Sequence, residues 1–191
     1  MKKSSVLFTL IFSLLSISSP AYADITQKDS LTLEEVSQAL GDFAGDAAES
    51  FSGVIKKVFE NSGQPTALIL GDEMQGSFFV GYRRGDGNIM FHGQNIQSAN
   101  KIRWSAPSLG INVGASMSKV AILVYGAQNP EQLKQRFISL QGSYHVIGGA
   151  GISYLTNKFN KDSSENNIKL VYISVGLGLD AGVAVEALAF K

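Results

Sequence analysis

The sequence predicts a mainly β protein: a small antiparallel soluble β-barrel of about eight to ten strands, with N-terminal helices packed against it and one short helix between strands. Three observations lead there. Apolar residues alternate with polar ones at a period of two over most of residues 64–191, which places successive side chains on opposite faces of a strand. Glycine recurs inside those stretches, as in Leu109-Gly110-Ile111-Asn112-Val113-Gly114, and glycine within a strand marks bends or close backbone approach, the means by which a small sheet curls. A helical period of three and four occurs only before residue 64.

The chain opens with Lys2 and Lys3, an apolar run over residues 6–15, and Ala21-Tyr22-Ala23. A positive flank, a short apolar region and a small-x-small site read as a secretory signal peptide, with cleavage expected after Ala23 and a periplasmic address. The expected organisation is a signal peptide over residues 1–23, a helical segment over 24–63, and a barrel over 64–191 that forms one domain with it. No later stretch is long and apolar enough for a transmembrane anchor. Lys2 and Lys3 supply two of the 16 basic residues, so 14 basic and 16 acidic side chains follow the signal. That balance gives no footprint for a polyphosphate backbone, and nucleic acid is not an expected partner. With no cysteine, disulfides, thiolate catalysis and zinc knuckles are excluded.

Leu31-Thr32-Leu33-Glu34-Glu35 opens the first helix. Thr32 as N-cap and Glu35 three residues on form a capping box, and Gly41 reads as the stop. A second helix is expected over residues 46–60, with Phe51, Val54, Ile55 and Val58 on one stripe and Lys56 and Lys57 off it. Residues 67–70 are continuously apolar, which fits a strand covered on both faces. Residues 76–84 read as a strand, Arg84-Gly85-Asp86-Gly87 as a hairpin turn, and residues 88–91 as the return. Arg83 and Arg84 are then expected at an exposed tip, and Asp72-Glu73 as solvated carboxylates. Asn129-Pro130-Glu131-Gln132 starts a short helix reaching Arg136 or Phe137. Residues 171–190 alternate for longer than the usual strand of roughly three to ten residues, so a hairpin or sharp bend is expected near Asp180-Ala181-Gly182.

The residues name no reaction. His92 and His145 stand outside any metal-ligand spacing, no Gly-x-Ser-x-Gly elbow exists, and Gly148-Gly149-Ala150-Gly151 precedes a strand where a dinucleotide loop needs a helix. No catalytic residue, cofactor or metal is expected. Arg103 beside Trp104 marks the rim of an apolar pocket, an interfacial anchor or a packed core position, and Lys56 with Lys57 gives the second helix a basic pair that an amphipathic helix on lipid would use. These four are the candidate ligand or lipid contacts.

Trp104-Ser105-Ala106-Pro107-Ser108-Leu109-Gly110-Ile111-Asn112-Val113-Gly114, Ser118-Lys119-Val120, Asn129-Pro130-Glu131-Gln132-Leu133 and Gly142-Ser143-Tyr144-His145-Val146-Ile147-Gly148-Gly149 resemble an alphaproteobacterial family of periplasmic, EipA-like envelope-integrity proteins. The Pro107-Ser108-Leu109-Gly110-Ile111 segment is more faintly similar to SYLF-type lipid-binding domains. The first resemblance implies a soluble periplasmic barrel that supports the envelope under stress, without catalytic residues. Its expected partners are an envelope lipid, glycan or protein. The competing expectations are a small integral outer-membrane barrel, which the alternation also allows, and a hydrolase of envelope polymers.

Overall fold

The structure is a computed structural model and describes residues 29–77, 81–96, 99–108, 114–139, 145–157, 167–176 and 187–191. The expected signal peptide, the alternation over residues 109–113 and the bend at residues 180–182 lie outside these. Two helices come first, α1 (Leu33–Ala44) and α2 (Ala48–Ser62), joined by a 3-10 turn over Gly45–Ala47. Nine strands follow: β1 (Ala67–Ser77), β2 (Gly81–Phe91), β3 (Asn100–Ser108), β4 (Gly114–Tyr125), β5 (Arg136–Ser139), β6 (His145–Ile147), β7 (Ala150–Thr156), β8 (Lys169–Gly176) and β9 (Ala187–Phe190). All pair antiparallel in the order β5-β9-β3-β2-β1-β4-β8-β7, and β7 pairs back to β5, closing an eight-stranded barrel. β6 hangs from β7 as a ninth strand through a two-residue turn at Gly148-Gly149, both with positive φ.

The capping box at the start of α1 forms as expected. The Thr32 hydroxyl accepts from the Glu35 N–H at 3.2 Å, and the Thr32 N–H donates to Glu35 Oε2 at 2.7 Å. Burial opposes ionisation of Glu35, but the hydrogen bonds from Thr32 and the charge of nearby His92 outweigh it and hold the carboxyl below its ordinary range. Gly41 does not end the helix. The apolar stripe of Val36, Ala39 and Leu40 continues to Ala44, and its burial outweighs the roughly 1 kcal/mol that one glycine costs. α2 runs two residues later at each end than its pattern predicts.

Two apolar layers share the barrel wall. Ala67, Ile69, Ile89, Val120, Ile122, Leu170 and Phe137 fill the interior. Leu68, Leu70, Ala121, Leu123, Val171, Ile173 and Ile152 point outward and are covered by Val36, Leu40, Phe51, Val54, Ile55 and Val58 of the helices. The continuous run at residues 67–70 is therefore buried on both faces, as expected. On the scale of about 1.5–3 kcal/mol per fully buried large apolar side chain, both layers contribute heavily. The same cover sorts β8: the branched residues Val171, Ile173 and Val175 face the helices, while Leu170, Tyr172 and Ser174 face the interior. β8 and β9 are not neighbours in the sheet.

The short helix is a single 3-10 turn, Pro130–Leu133, and not the longer helix expected. Asn129 caps it by accepting from the Gln132 N–H at 3.2 Å, and the fully buried Leu133 packs among the interior residues. β5 starts three residues later, so the sheet claims Arg136 and Phe137.

The largest correction is at Arg84-Gly85-Asp86-Gly87. These residues lie inside β2, which pairs without interruption against β1 from Ala67↔Phe91 to Ser77↔Gly81. The antiparallel pairing ends at Ser77↔Gly81. The glycines meet neighbours in space instead: a Cβ on Gly85 would overlap the Trp104 ring, and Gly71 and Gly87, directly opposite each other, approach too closely for side chains. That is the behaviour of a barrel corner.

Candidate functional site

Alternation along β1 and β2 sorts the charged residues between two places. Glu73 and Arg83 share the inward parity of Ile69 and Ile89, whereas Asp72, Arg84 and Asp86 point out. Inside, Arg83 Nη1 lies 3.3 Å from Glu73 Oε1, with the side chains 4% and 2% exposed. Trp104 Nε1 donates to Glu73 Oε2 at 2.8 Å. The Tyr172 hydroxyl is buried beside them without a hydrogen bond of good geometry among the described residues. Its burial, and next the charge of Glu73, push its pKa well above the ordinary tyrosine value. This is a sealed polar layer: Trp104 is 1% exposed, and Gly85 provides the room for its ring. Of the expected solvated Asp72-Glu73 pair only Asp72 is exposed, and of the expected Arg83-Arg84 tip only Arg84 is exposed, within β2 and not at a turn. The missed signal is the pleat itself, visible once β1 and β2 are read as unbroken strands.

Outside, β1, β2 and β3 present a face that the helix bodies leave open. A cavity of about 1110 Å³ lies there, bounded by Asp42 and Phe43 at the end of α1, by Ile96, and by the outer residues Met74, Arg84 and Arg103. A second cavity of about 250 Å³ adjoins it, and the two share Arg84, Arg103 and Lys191. Register builds this cluster. Arg84 stands opposite Met74 and Ser105, Arg103 opposite Asp86, and the Lys191 N–H donates to the Arg103 carbonyl at 2.9 Å. One wall is fixed by Lys119, whose Nζ sits 3.3 Å from Asp72 Oδ1 and 4.3 Å from the centre of the Phe43 ring. No group of histidine and carboxylate side chains among the described residues has metal-binding geometry.

The four sequence candidates separate. Arg103 lines both outer cavities. Trp104, next to it, points the other way and is a core residue whose indole donates to Glu73, and it is also among the residues around the smaller cavity. Lys56 and Lys57 are exposed on α2, opposite Val54, Ile55 and Val58, which are buried against the barrel. Sequence reasoning also passed over Arg84, Lys101 and Lys191 as members of the outer cluster.

A family model described as envelope integrity protein A matches residues 29–191. The chain belongs to that family. Among solved structures, the chain is similar to a β-barrel-like, uncharacterised protein from Brucella abortus, with 31% identity and a TM-score of 0.65 over 85% of this chain and 94% of that one. No curated protein matches it. Family membership and the closed barrel agree with the resemblance seen in the sequence.

Proposed function

We propose that this member of the family is a non-catalytic periplasmic protein, exported with cleavage after Ala23, that preserves the envelope under stress by holding an envelope lipid, glycan or protein in the outer groove. The observation that carries the reading is the groove itself, a large concave surface with convergent cations on a barrel whose interior is filled. The outer surface also argues against an integral outer-membrane barrel. Helices cover β1, β4, β7 and β8, and the mid-barrel row across β4, β1, β2 and β3 reads Lys119, Asp72, Asp86, Arg103, where a lipid-facing belt would be apolar. Among the described residues no helix is long and apolar enough to cross a membrane, which by itself says nothing about strands.

A hydrolase finds little support in the histidines. His92 Nδ1 is held 3.1 Å from Glu35 Oε1, His145 packs edge-on to Tyr154, and neither lines the groove. A strain lacking the gene is expected to leak small dyes through its outer membrane and to become detergent-sensitive, with both defects reversed by the wild-type gene. Wild-type behaviour across several envelope stresses would contradict the proposal.

A further inference from the structure

We propose that the groove takes one molecule of an anionic amphiphile, a lipid with a phosphoryl head and an acyl chain, the head on Arg84, Arg103 and Lys191 and the chain along Met74, Phe43 and Ile96. This deepens the groove reading above and rests on it.

Three features point to that chemistry. First, the cations are available. Asp72 is occupied by Lys119, while Arg84, Lys101, Arg103 and Lys191 form no ion pair among the described residues. Asp42 and Asp86 line the same groove, so the positive excess is small and suits a single head rather than a polyanion. Arginine in particular matches phosphoryl oxygens with paired donors.

Second, apolar surface is concentrated around the cations. Of the five exposed large hydrophobic side chains among the described residues, Met74 lines the larger cavity, Tyr82 lines the smaller, and Met117 stands on the adjoining β4. Met74 is directly opposite both Met117 and Arg84, and Tyr82 is two residues from Arg84 on the same strand. Exposed apolar groups gathered in one place mark an interaction surface, whereas scattered ones do not. The larger cavity, about 1110 Å³, is also far more than a free phosphate ion fills.

Third, the opposite side of the molecule repels the same ligand. Away from the groove the helices expose Glu34, Asp46, Glu49 and Glu60 against Lys56 and Lys57. An anionic amphiphile is therefore directed to the groove rather than to the helix pair.

The test is calorimetric titration of the full processed protein with lysophosphatidylglycerol below its micelle concentration. Saturable one-to-one binding is expected, weakened about tenfold or more by R84E/R103E and by M74D, with thermal melting unchanged. Equal binding of inorganic phosphate, binding only to phosphatidylglycerol vesicles, no binding, or affinity untouched by both variants would each overturn the inference. Restoration of the deletion strain separates the two levels. If lysophosphatidylglycerol fails to bind yet R84E/R103E also fails to restore the strain, the groove reading stands and the lipid assignment falls. If it fails to bind and the variant restores the strain, both fall.

Discussion

Replacing Glu73 with alanine is expected to destabilise the barrel by about 3–5 kcal/mol, because it leaves the Arg83 guanidinium buried without its counter-charge. The Trp104 indole N–H loses its acceptor in the same step. Urea denaturation of the wild type and variant measures the loss. The double variant E73A/R83M is expected to recover a large part of it, since removing both charges also removes their desolvation penalty. A single variant within 1 kcal/mol of the wild type would show that the pair is solvated in solution. The pair is therefore weak evidence for stability but good evidence for specificity: it fits only when β1 and β2 are in one register, Glu73 opposite Gly85.

Gly85→Val is expected to cost at least about 1–3 kcal/mol by overpacking, and more if the Trp104 ring is expelled from its bond to Glu73. Trp104 is the sole tryptophan, so its emission reports directly on the displacement, and a red shift together with a lowered melting temperature is the expected result. Gly41→Ala is the matching control. Nothing lies within 4 Å of a Cβ at that exposed helical position, and relief of the helix penalty should stabilise the protein by about 0.5–1 kcal/mol. Equal effects at the two glycines would mean that Gly85 responds to backbone conformation and not to the ring against it.

These two glycines also show what the sequence made legible and what it did not. The helix start was readable because a capping box is local: Thr32 and Glu35 satisfy each other's backbone within four residues. The double burial of residues 67–70 was readable because an unbroken apolar run has no wet face. The expected turn at Asp86-Gly87 failed because local turn chemistry competes with a demand that is invisible in one dimension, the room required by Trp104 on β3 and by Gly71 on β1. Once that turn is replaced by a continuous strand, Glu73 and Arg83 move inward and Arg84 moves out.

The candidate site was half legible for the same reason. Arg103 was found from its own neighbourhood, but Trp104 beside it faces the opposite way, and the partners that make Arg103 interesting come from β2 and the C-terminal residue. Arg84 and Lys191 lie 19 and 88 positions from Arg103 in sequence, and only the order β9-β3-β2 brings them together. Lys56 and Lys57 were chosen for an amphipathic helix whose apolar stripe is already used against the barrel, so lipid contact through that stripe would require undocking it.

Two surfaces therefore compete for the role, the groove and the basic pair on α2, and one comparison decides between them. The deletion strain is complemented with R84E/R103E or with K56E/K57E, each exported at wild-type level, and detergent survival is measured. The groove account predicts that R84E/R103E leaves the strain sensitive while K56E/K57E restores it. Restoration by R84E/R103E with failure of K56E/K57E would contradict the account and place the function on the helix.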